Sequence, residues 1–240
     1  MKTCSVAALA LLFLATTAFP TVDEGWKELF GDRPFEAWRS PSDQWVIAVD
    51  AKLDEKNPRK LVAVTGKGIL VNGPGRVKDL VTKELFTDVE VHVEFMISRS
   101  SNSGVKMNGL YEIQIEDSHG KAKLTGSDCG GIYPRAEDRP RYRTIDEGTP
   151  PRVNACKKAG EWQTLDIAFR SPRFDREGKK SAHACFVKVV LNGQVIHENV
   201  EVKHPTGSAW VNEEVAKGPL LLQSDHGPVA FRNVRVRPLR

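Results

Sequence analysis

The chain has 240 residues, of which 35 are basic and 31 are acidic, and its formal net charge is +4. Because charges of both signs are interspersed along the sequence, no strong electric field would attract nucleic acid or an anionic membrane surface. We therefore expect neither nucleic acid nor a membrane as a partner of this protein.

The first residues are typical of a secretory signal peptide. Lys2 precedes an apolar run at residues 6–14, and small residues follow as far as Ala18. The apolar run is too short to span a bilayer. We therefore expect residues 1–18 to be a signal peptide, the protein to be periplasmic or secreted, and residues 19–240 to form one domain.

The rest of the chain shows apolar residues at a period of two, which indicates β-strands. Only residues 26–30 hint at a helical turn, and a shift of the apolar phase indicates a bulge near Arg232 and Asn233. Residues 136–158 lack the pattern, and a loop of that length is usually functional or disordered. Many short strands between turn residues predict a sandwich of two packed antiparallel sheets. In chain order, strands are predicted at residues 44–51, 68–71, 80–83, 89–97, 162–169, 183–191, 195–202, 218–223 and 229–236.

The cysteines outside the signal segment are interpreted by their surroundings. Cys129 and Cys156 lie in the turn-rich stretches G-S-D-C-G-G and V-N-A-C-K-K, whereas Cys185 lies in A-C-F-V-K-V-V and should face the core. Export favours disulfides. We predict a bridge between Cys129 and Cys156 and a free, buried Cys185, although spacing alone does not decide the connectivity.

Residues 101–118 are interpreted as a β-hairpin with two chemically different faces. Asn108 and Gly109 form a two-residue turn signal, and the return arm alternates apolar and polar residues. Because successive strand side chains point to opposite faces, one face should be core and the other a candidate site. A solvated outer strand face explains the polar side equally well. Its polar residues are Glu112, Gln114 and Glu116, and its apolar residues are Tyr111, Ile113 and Ile115.

The turn also predicts which residues face each other across this hairpin. A two-residue turn places Met107 opposite Leu110 and therefore Lys106 opposite Tyr111. Lys106 would then lean diagonally toward Glu112. A plain salt bridge explains that approach as well as a chemical role does.

The spacing of Glu112, Gln114 and Glu116 resembles the E-x-D-x-E strand of glycosidases of the laminarinase and xyloglucanase type. In those enzymes two carboxylates flank the scissile bond, and an aspartate between them tunes protonation. Here Gln114 occupies the middle position, and an amide cannot share a proton in that way. A conventional β-glucan hydrolase therefore stays one alternative.

A second polar cluster is Q-S-D-H-G at residues 223–227, between two C-terminal strands. His226 is the best general base of the chain by intrinsic pKa. A turn histidine bonded to the neighbouring Asp225 needs no function, and this explanation stays open. His92 with Glu94 is a further candidate pair. None of the histidines shows a zinc spacing such as H-E-x-x-H.

Seven segments together resemble the family of 3-keto-disaccharide hydrolases, and they extend over essentially the whole chain after the signal peptide. They are W-K-E-L-F-G-D at 26–32, V-E-F-M-I-S with N-S-G-V at 93–105, Y-E-I-Q-I-E-D-S at 111–118, G-G-I-Y-P at 130–134, G-E-W-Q-T-L-D-I at 160–167, L-N-G-Q-V-I-H at 191–197, and G-P-L-L-L-Q-S-D-H-G-P-V-A-F-R-N-V at 218–234.

The resemblance implies an all-β, concanavalin A-like jelly-roll sandwich of two antiparallel sheets, an exported location, and action on glycosides that carry a ketone at C3. The ketone acidifies the hydrogen on C2, so a base can remove it and the enolate can expel the oxygen on C1. Such a site needs one positioned base and a cationic group to hold the developing oxyanion.

On this basis we expect Glu112, Asp117 and His226 to be catalytic, with His226 or Glu112 as the base. Lys106 or a divalent cation would hold the oxyanion, and no other cofactor is expected. The expected substrate-binding residues are Asn102, Lys106, Gln114, Tyr133 and Glu161. A non-catalytic, lectin-like carbohydrate-binding module is the other alternative, because a fold does not fix a function.

Overall fold

The structure, a computed structural model, describes residues 25–73 and 75–240. The signal peptide predicted at residues 1–18 lies outside the described residues. The elements that the structure describes are, in chain order, β1 (Lys27–Glu28), β2 (Val46–Leu53), β3 (Leu61–Val71), β4 (Leu80–Phe86), β5 (Val89–Ile97), β6 (Asn102–Met107), β7 (Tyr111–Glu116), β8 (Ala136–Glu137), β9 (Arg143–Thr144), β10 (Gln163–Arg170), β11 (Arg173–Phe174), β12 (Lys180–Ala182), β13 (Ala184–Leu191), β14 (Gln194–Val202), the 3-10 helix η1 (Ser208–Val211), β15 (Gly218–Leu222) and β16 (Val229–Pro238).

The strands form two main antiparallel sheets. The larger sheet has the order β14-β13-β10-β5-β16-β3-β2, with β1 paired to β16, and the smaller has the order β4-β15-β6-β7. Two short ribbons, β8-β9 and β11-β12, lie outside these two sheets. The predicted all-β jelly-roll sandwich is confirmed. No helix among the described residues is long and apolar enough to cross a membrane.

The core lies between the two sheets and is built by the period-two pattern. Val91, Val93 and Phe95 of β5 are buried in one cluster with Ile113 and Ile115 of β7. Apolar burial of this kind stabilises a fold by roughly 25 cal/mol for each Å² removed from water. Because the apolar residues of β7 are committed to this core, the polar residues of the same strand must point to the opposite face.

Two local predictions near the termini have different outcomes. The helical turn predicted at residues 26–30 is wrong, because Lys27 and Glu28 form a short strand against β16. The bulge predicted near Arg232 and Asn233 is confirmed: the β16–β5 register shifts between Arg232 and Arg235, and Asn233 has a φ of 47°. The extra residue in a bulge cannot pair with the neighbouring strand, so the apolar phase of the sequence changes there.

The predicted register of the β6–β7 hairpin is wrong by one residue. Met107 pairs with Tyr111 and Lys106 pairs with Glu112, so three residues rather than two connect the strands. Leu110 is the additional residue, and its backbone N–H donates to the carbonyl of Met107 at 2.9 Å. The longer turn places Lys106 and Glu112 directly opposite each other on one face.

The predicted bridge between Cys129 and Cys156 is also wrong, whereas the predicted free and buried Cys185 is confirmed. The three cysteines in the described part of the chain are free and buried. The Cys129 thiol is a neighbour of the Cys156 thiol and lowers its pKa. The Cys156 thiol also donates to the carbonyl of Lys157 at 3.3 Å. The sequence therefore predicted the right neighbours but not their chemical state.

Candidate functional site

A cavity of about 500 Å³ lies on the polar face of the smaller sheet, and the β6–β7 hairpin forms its base. Asn102 and Lys106 come from β6, and Glu112 and Gln114 come from β7. The remaining walls come from connecting segments and the first residue of η1, which contribute Asp79, Tyr133, Asp138, Tyr142, Gly207, Ser208, Gln223, Asp225 and His226.

Lys106 and Glu112 form an ion pair at the base of this cavity. Their Nζ and Oε2 atoms are 3.3 Å apart, and their side chains are 19% and 3% exposed. Burial raises the pKa of Glu112, and the Lys106 ammonium only partly opposes this shift. A carboxyl group in this position holds its proton at a higher pH than an exposed glutamate does.

Gly104 makes room for the Glu112 carboxyl group. It lies on β6 between Asn102 and Lys106 and pairs with Gln114 across the hairpin. A Cβ atom at this position would lie 2.1 Å from Oε1 of Glu112. Because Gly104 has no side chain, the Glu112 carboxyl group can lie over the backbone of β6 at this position.

His226 and Asp225 form a hydrogen-bonded pair at the edge of the cavity. The Nδ1 atom of His226 hydrogen-bonds Oδ1 of Asp225, and both side chains are 53% exposed. A bond at Nδ1 orients the imidazole and leaves Nε2 available for proton transfer. His226 is also close enough to lower the pKa of Glu112 and of Asp79.

Asp79 adds a further carboxyl group that the sequence analysis did not identify. Its Oδ1 atom accepts a hydrogen bond from the backbone N–H of Ser224 at 2.7 Å. Burial raises the pKa of Asp79; the Ser224 N–H opposes that shift, and the nearby Asp225 adds to it. No local signal marks this residue, because it precedes β4 and reaches the cavity only through tertiary packing against the segment after β15.

Two buried amides line the same cavity with unsatisfied carbonyl oxygens. The Oε1 atoms of Gln114 and Gln223 are buried and have no hydrogen-bond partner. Buried polar groups normally have a partner, so orphaned acceptors beside a cavity indicate a site that handles polar ligands. Gln223 follows β15 and was recognised in the sequence only as part of the Q-S-D-H-G cluster.

Six of the residues proposed from the sequence line this cavity, and two do not. Asp117 lies beyond the end of β7, where its carboxylate accepts the backbone N–H of Ser100 at 2.9 Å. Glu161 is exposed in the turn before β10. The expectation that these two carboxylates share the cleft is therefore incorrect. The lining residues from the prediction are Asn102, Lys106, Glu112, Gln114, Tyr133 and His226.

The other proposed acidic and histidine residues also lie elsewhere. Glu116 accepts a hydrogen bond from Asn102 at 2.9 Å and does not line the cavity. His92 bonds Asp166 through Nδ1 at 2.6 Å on the opposite sheet. The E-x-Q-x-E strand therefore contributes one carboxyl group to the cavity, from Glu112, and not two.

Two other features of the described residues bear on this site, a further cavity and the arrangement of metal-ligating side chains. A larger cavity of about 590 Å³ lies near β1 and β4, and four of its charged residues form the ion pairs Lys27–Glu84 at 2.6 Å and Arg33–Glu36 at 3.0 Å. Within residues 25–73 and 75–240, no group of three His, Cys, Asp or Glu side chains is arranged to hold a metal ion.

The fold and the cavity define a jelly-roll β-sandwich with a polar, acid-containing pocket on its smaller sheet. Residues 25–237 match the family described as the 3-keto-alpha-glucoside-1,2-lyase-like domain, and the chain belongs to this family. The protein is accordingly a carbohydrate-active protein. No curated protein matches the chain.

Solved structures with the same fold come from Parabacteroides distasonis ATCC 8503, where they are described as candidate glycosyl hydrolases. One is 24% identical with a TM-score of 0.61, and the alignment covers 90% of this chain and 84% of that chain. A second is 23% identical with a TM-score of 0.56, covering 89% and 99%. A third is 16% identical with a TM-score of 0.54, covering 90% and 95%. At these identities the similarity establishes the fold alone.

Proposed function

We propose that this protein is an exported enzyme that cleaves the glycosidic bond of 3-keto-glycosides. The observation that carries the proposal is the presence of an oriented imidazole, His226, and a half-buried ammonium, Lys106, in one cavity. The family description supports the same substrate class. Export rests on the signal peptide predicted at residues 1–18.

The proposed reaction begins with removal of the C2 proton. Nε2 of His226 takes this proton, and the electron pair moves into the C3 carbonyl to form an enolate. The Lys106 ammonium holds the enolate oxygen, which is the interaction that must strengthen in the transition state. His226 is preferred to Glu112 as the base because the carboxyl group of Glu112 is already paired with Lys106.

The enolate then expels the oxygen on C1, which leaves a double bond between C1 and C2. The departing oxygen needs a proton, and burial raises the pKa of Asp79, so that this carboxyl group can retain a proton to donate. Addition of water across the double bond completes the hydrolysis and gives the free 3-keto sugar. An enzyme that stops before this addition is a lyase.

The test compares a 3-keto-glycoside with its unoxidised parent. We expect alcohol release from the oxidised compound only, and mass spectrometry of the sugar product distinguishes the unsaturated species from its hydrate. Turnover that disappears with a chelator and returns with a divalent cation would assign the oxyanion to a metal instead of Lys106. Cleavage of the unoxidised glycoside would instead support a conventional glycosidase.

The residue-level test uses His226→Gln, with His204→Gln as a matched control at an exposed histidine outside the cavity. Loss of a general base typically lowers kcat by about 10² to 10⁴-fold. We expect this loss in His226→Gln and none in the control. Full turnover by His226→Gln would remove His226 from the mechanism, and sugar binding without turnover by the wild type would favour a lectin-like module.

A further inference from the structure

Asp225 and His226 form the tip of the turn between β15 and β16. Their side chains bond each other, and each is 53% exposed. Side chains this exposed gain little from packing, which is what usually locks the rotamers of a functional site. The position of the imidazole therefore depends on how firmly the backbone of this turn is held.

Asn72 bonds this backbone from inside the molecule. It directly follows β3 and is 0% exposed. Its Nδ2 group donates to the carbonyl of Ser224 at 3.0 Å and to the carbonyl of Gly227 at 2.7 Å. Ser224 directly precedes Asp225, and Gly227 directly follows His226, so one amide group holds both sides of the turn tip.

The rest of Asn72 is bonded as well. Its Oδ1 atom accepts the backbone N–H of Val229 at 2.8 Å, and its own backbone N–H donates to the carbonyl of Val229 at 3.0 Å. Both N–H donors and the acceptor of the side-chain amide are therefore in use. Reversal of this amide would place its oxygen against two carbonyls, so it is fixed in one orientation.

The surrounding packing leaves the turn little room to relax. A Cβ atom at Gly75 would lie 2.8 Å from Cγ of Pro228, and one at Gly227 would lie 2.4 Å from Oγ of Ser101. The Ser224 carbonyl accepts a further hydrogen bond, from the backbone N–H of Val77 at 3.0 Å. The turn tip is thus anchored to the segment after β3 as well as to the start of β6.

We propose that Asn72 is a positioning residue, which holds the backbone on both sides of His226 and so places the imidazole where it meets the substrate. Asn72 is buried and does not line the cavity, so it acts through His226 and not by contact with the sugar. This inference rests on the proposed function, in which His226 removes the C2 proton. Misplacement of a reacting group by about 1 Å can cost about 10²-fold in rate, so a residue behind the turn can control the chemistry.

The test substitution is Asn72→Asp, which keeps the size and the acceptor of the side chain and removes its two N–H donors. Asn192→Asp is the matched control. Nδ2 of Asn192 donates to the carbonyl of Ala155 at 2.8 Å and to Oε1 of Gln163 at 3.0 Å, and its Oδ1 accepts the backbone N–H of Thr164 at 2.9 Å. It does not line the cavity. Both variants lose two N–H donors, so a difference between them reports where the bonds lie and not how many are lost.

The kinetic experiment uses a 3-keto-glycoside. We expect Asn72→Asp to lower kcat about 10²-fold with little change in KM, and Asn192→Asp to keep the wild-type kcat. Added to His226→Gln, Asn72→Asp should cause no further loss, because its effect passes through the imidazole. A wild-type kcat in Asn72→Asp, an equal loss in the control, or an undiminished loss in the His226→Gln background would overturn the proposal.

Nuclear magnetic resonance tests the same proposal without a substrate. We expect backbone order parameters of Asp225 and His226 to be about 0.85 in the wild type and in Asn192→Asp, and to fall below about 0.6 in Asn72→Asp. A flexible turn tip in the wild type, or an equally rigid one in Asn72→Asp, would refute the positioning role. If Asn72→Asp fails to fold, Asn72→Ser replaces it in both experiments, because the shorter hydroxyl group cannot bond both carbonyls. If the wild type cleaves no 3-keto-glycoside, the proposed function fails by itself, and the order parameters still decide whether Asn72 fixes the turn.

Discussion

Substitution of Gly104 by alanine is the most selective perturbation that the structure offers. The new Cβ atom would lie 2.1 Å from Oε1 of Glu112, 2.9 Å from its Cδ and 3.0 Å from its Cγ. Ordinary van der Waals contact begins at 3.4 Å, so the carboxyl group must move by more than about 1 Å. The substitution adds one methyl group and changes no charge.

The size of the effect follows from the position of Glu112. Its carboxyl group holds Lys106 at 3.3 Å, and a shift of about 1 Å would misplace both groups relative to a bound substrate. Misplacement by about 1 Å can cost about 10²-fold in rate. Overpacking of this kind costs about 1–3 kcal/mol of stability, and the displaced Glu112 limits the cost by retaining a proton.

The assay is turnover of a 3-keto-glycoside together with denaturant unfolding. We expect Gly104→Ala to stay folded and to lose about 10²-fold in kcat/KM. Gly31→Ala is the control, because an added Cβ there meets nothing within 4 Å. Wild-type turnover by a folded Gly104→Ala protein would refute the view that the placement of Glu112 matters to the chemistry.

Three further outcomes are expected. Burial raises the pKa of Glu116 from 4.5 to about 7, so the folded protein binds a proton there that the unfolded chain releases. The contribution of Glu116 to the free energy of unfolding therefore falls as the pH rises from 4.5 to 7. Glu116→Gln should remove this pH dependence in unfolding experiments, and a constant difference in stability between variant and wild type across this range would contradict it. The double variant Lys106→Met, Glu112→Leu should lose activity and unfold at an equal or higher denaturant concentration than the wild type. Apolar replacements of buried ion pairs are often neutral or stabilising by about 1–4 kcal/mol. A large loss of stability would mean that the pair has a structural role. Titration of thiols without reductant, in unfolded protein produced without residues 1–18, should give three, from Cys129, Cys156 and Cys185. A value of one would restore the disulfide.

Strands with one buried and one polar face were the most predictable part of this fold. Strand β5 was predicted at residues 89–97 and occupies Val89–Ile97, because its alternation is continuous. Strand β3 was predicted at residues 68–71 and extends over Leu61–Val71. Its first half has mostly exposed residues and pairs with the edge strand β2. Because this half is mostly exposed, the sequence shows no alternation of apolar and polar residues there.

The base of the candidate site was predictable for the same reason, and its walls were not. The shared polar face of Glu112 and Gln114 is predicted by the period of two along one strand, and it does not depend on the register of the hairpin. Asp79 and Tyr142 lie in connecting segments, and their positions depend on contacts with residues far away in sequence, such as the Ser224 backbone N–H that bonds Asp79. Local patterns carry no information about such contacts.

The Lys106–Glu112 pair connects the fold to the proposed chemistry. Taking two charges out of water is costly, and a buried ion pair is therefore weak evidence of a role in stability. Burial raises the pKa of Glu112 although an ammonium group lies 3.3 Å away, so desolvation outweighs the attraction. A chain selected for stability alone would fill these two strand positions with apolar residues, as it does on the opposite face of the same hairpin. Retention of a costly, titratable pair beside a cavity is typical of a site that transfers protons or stabilises charge.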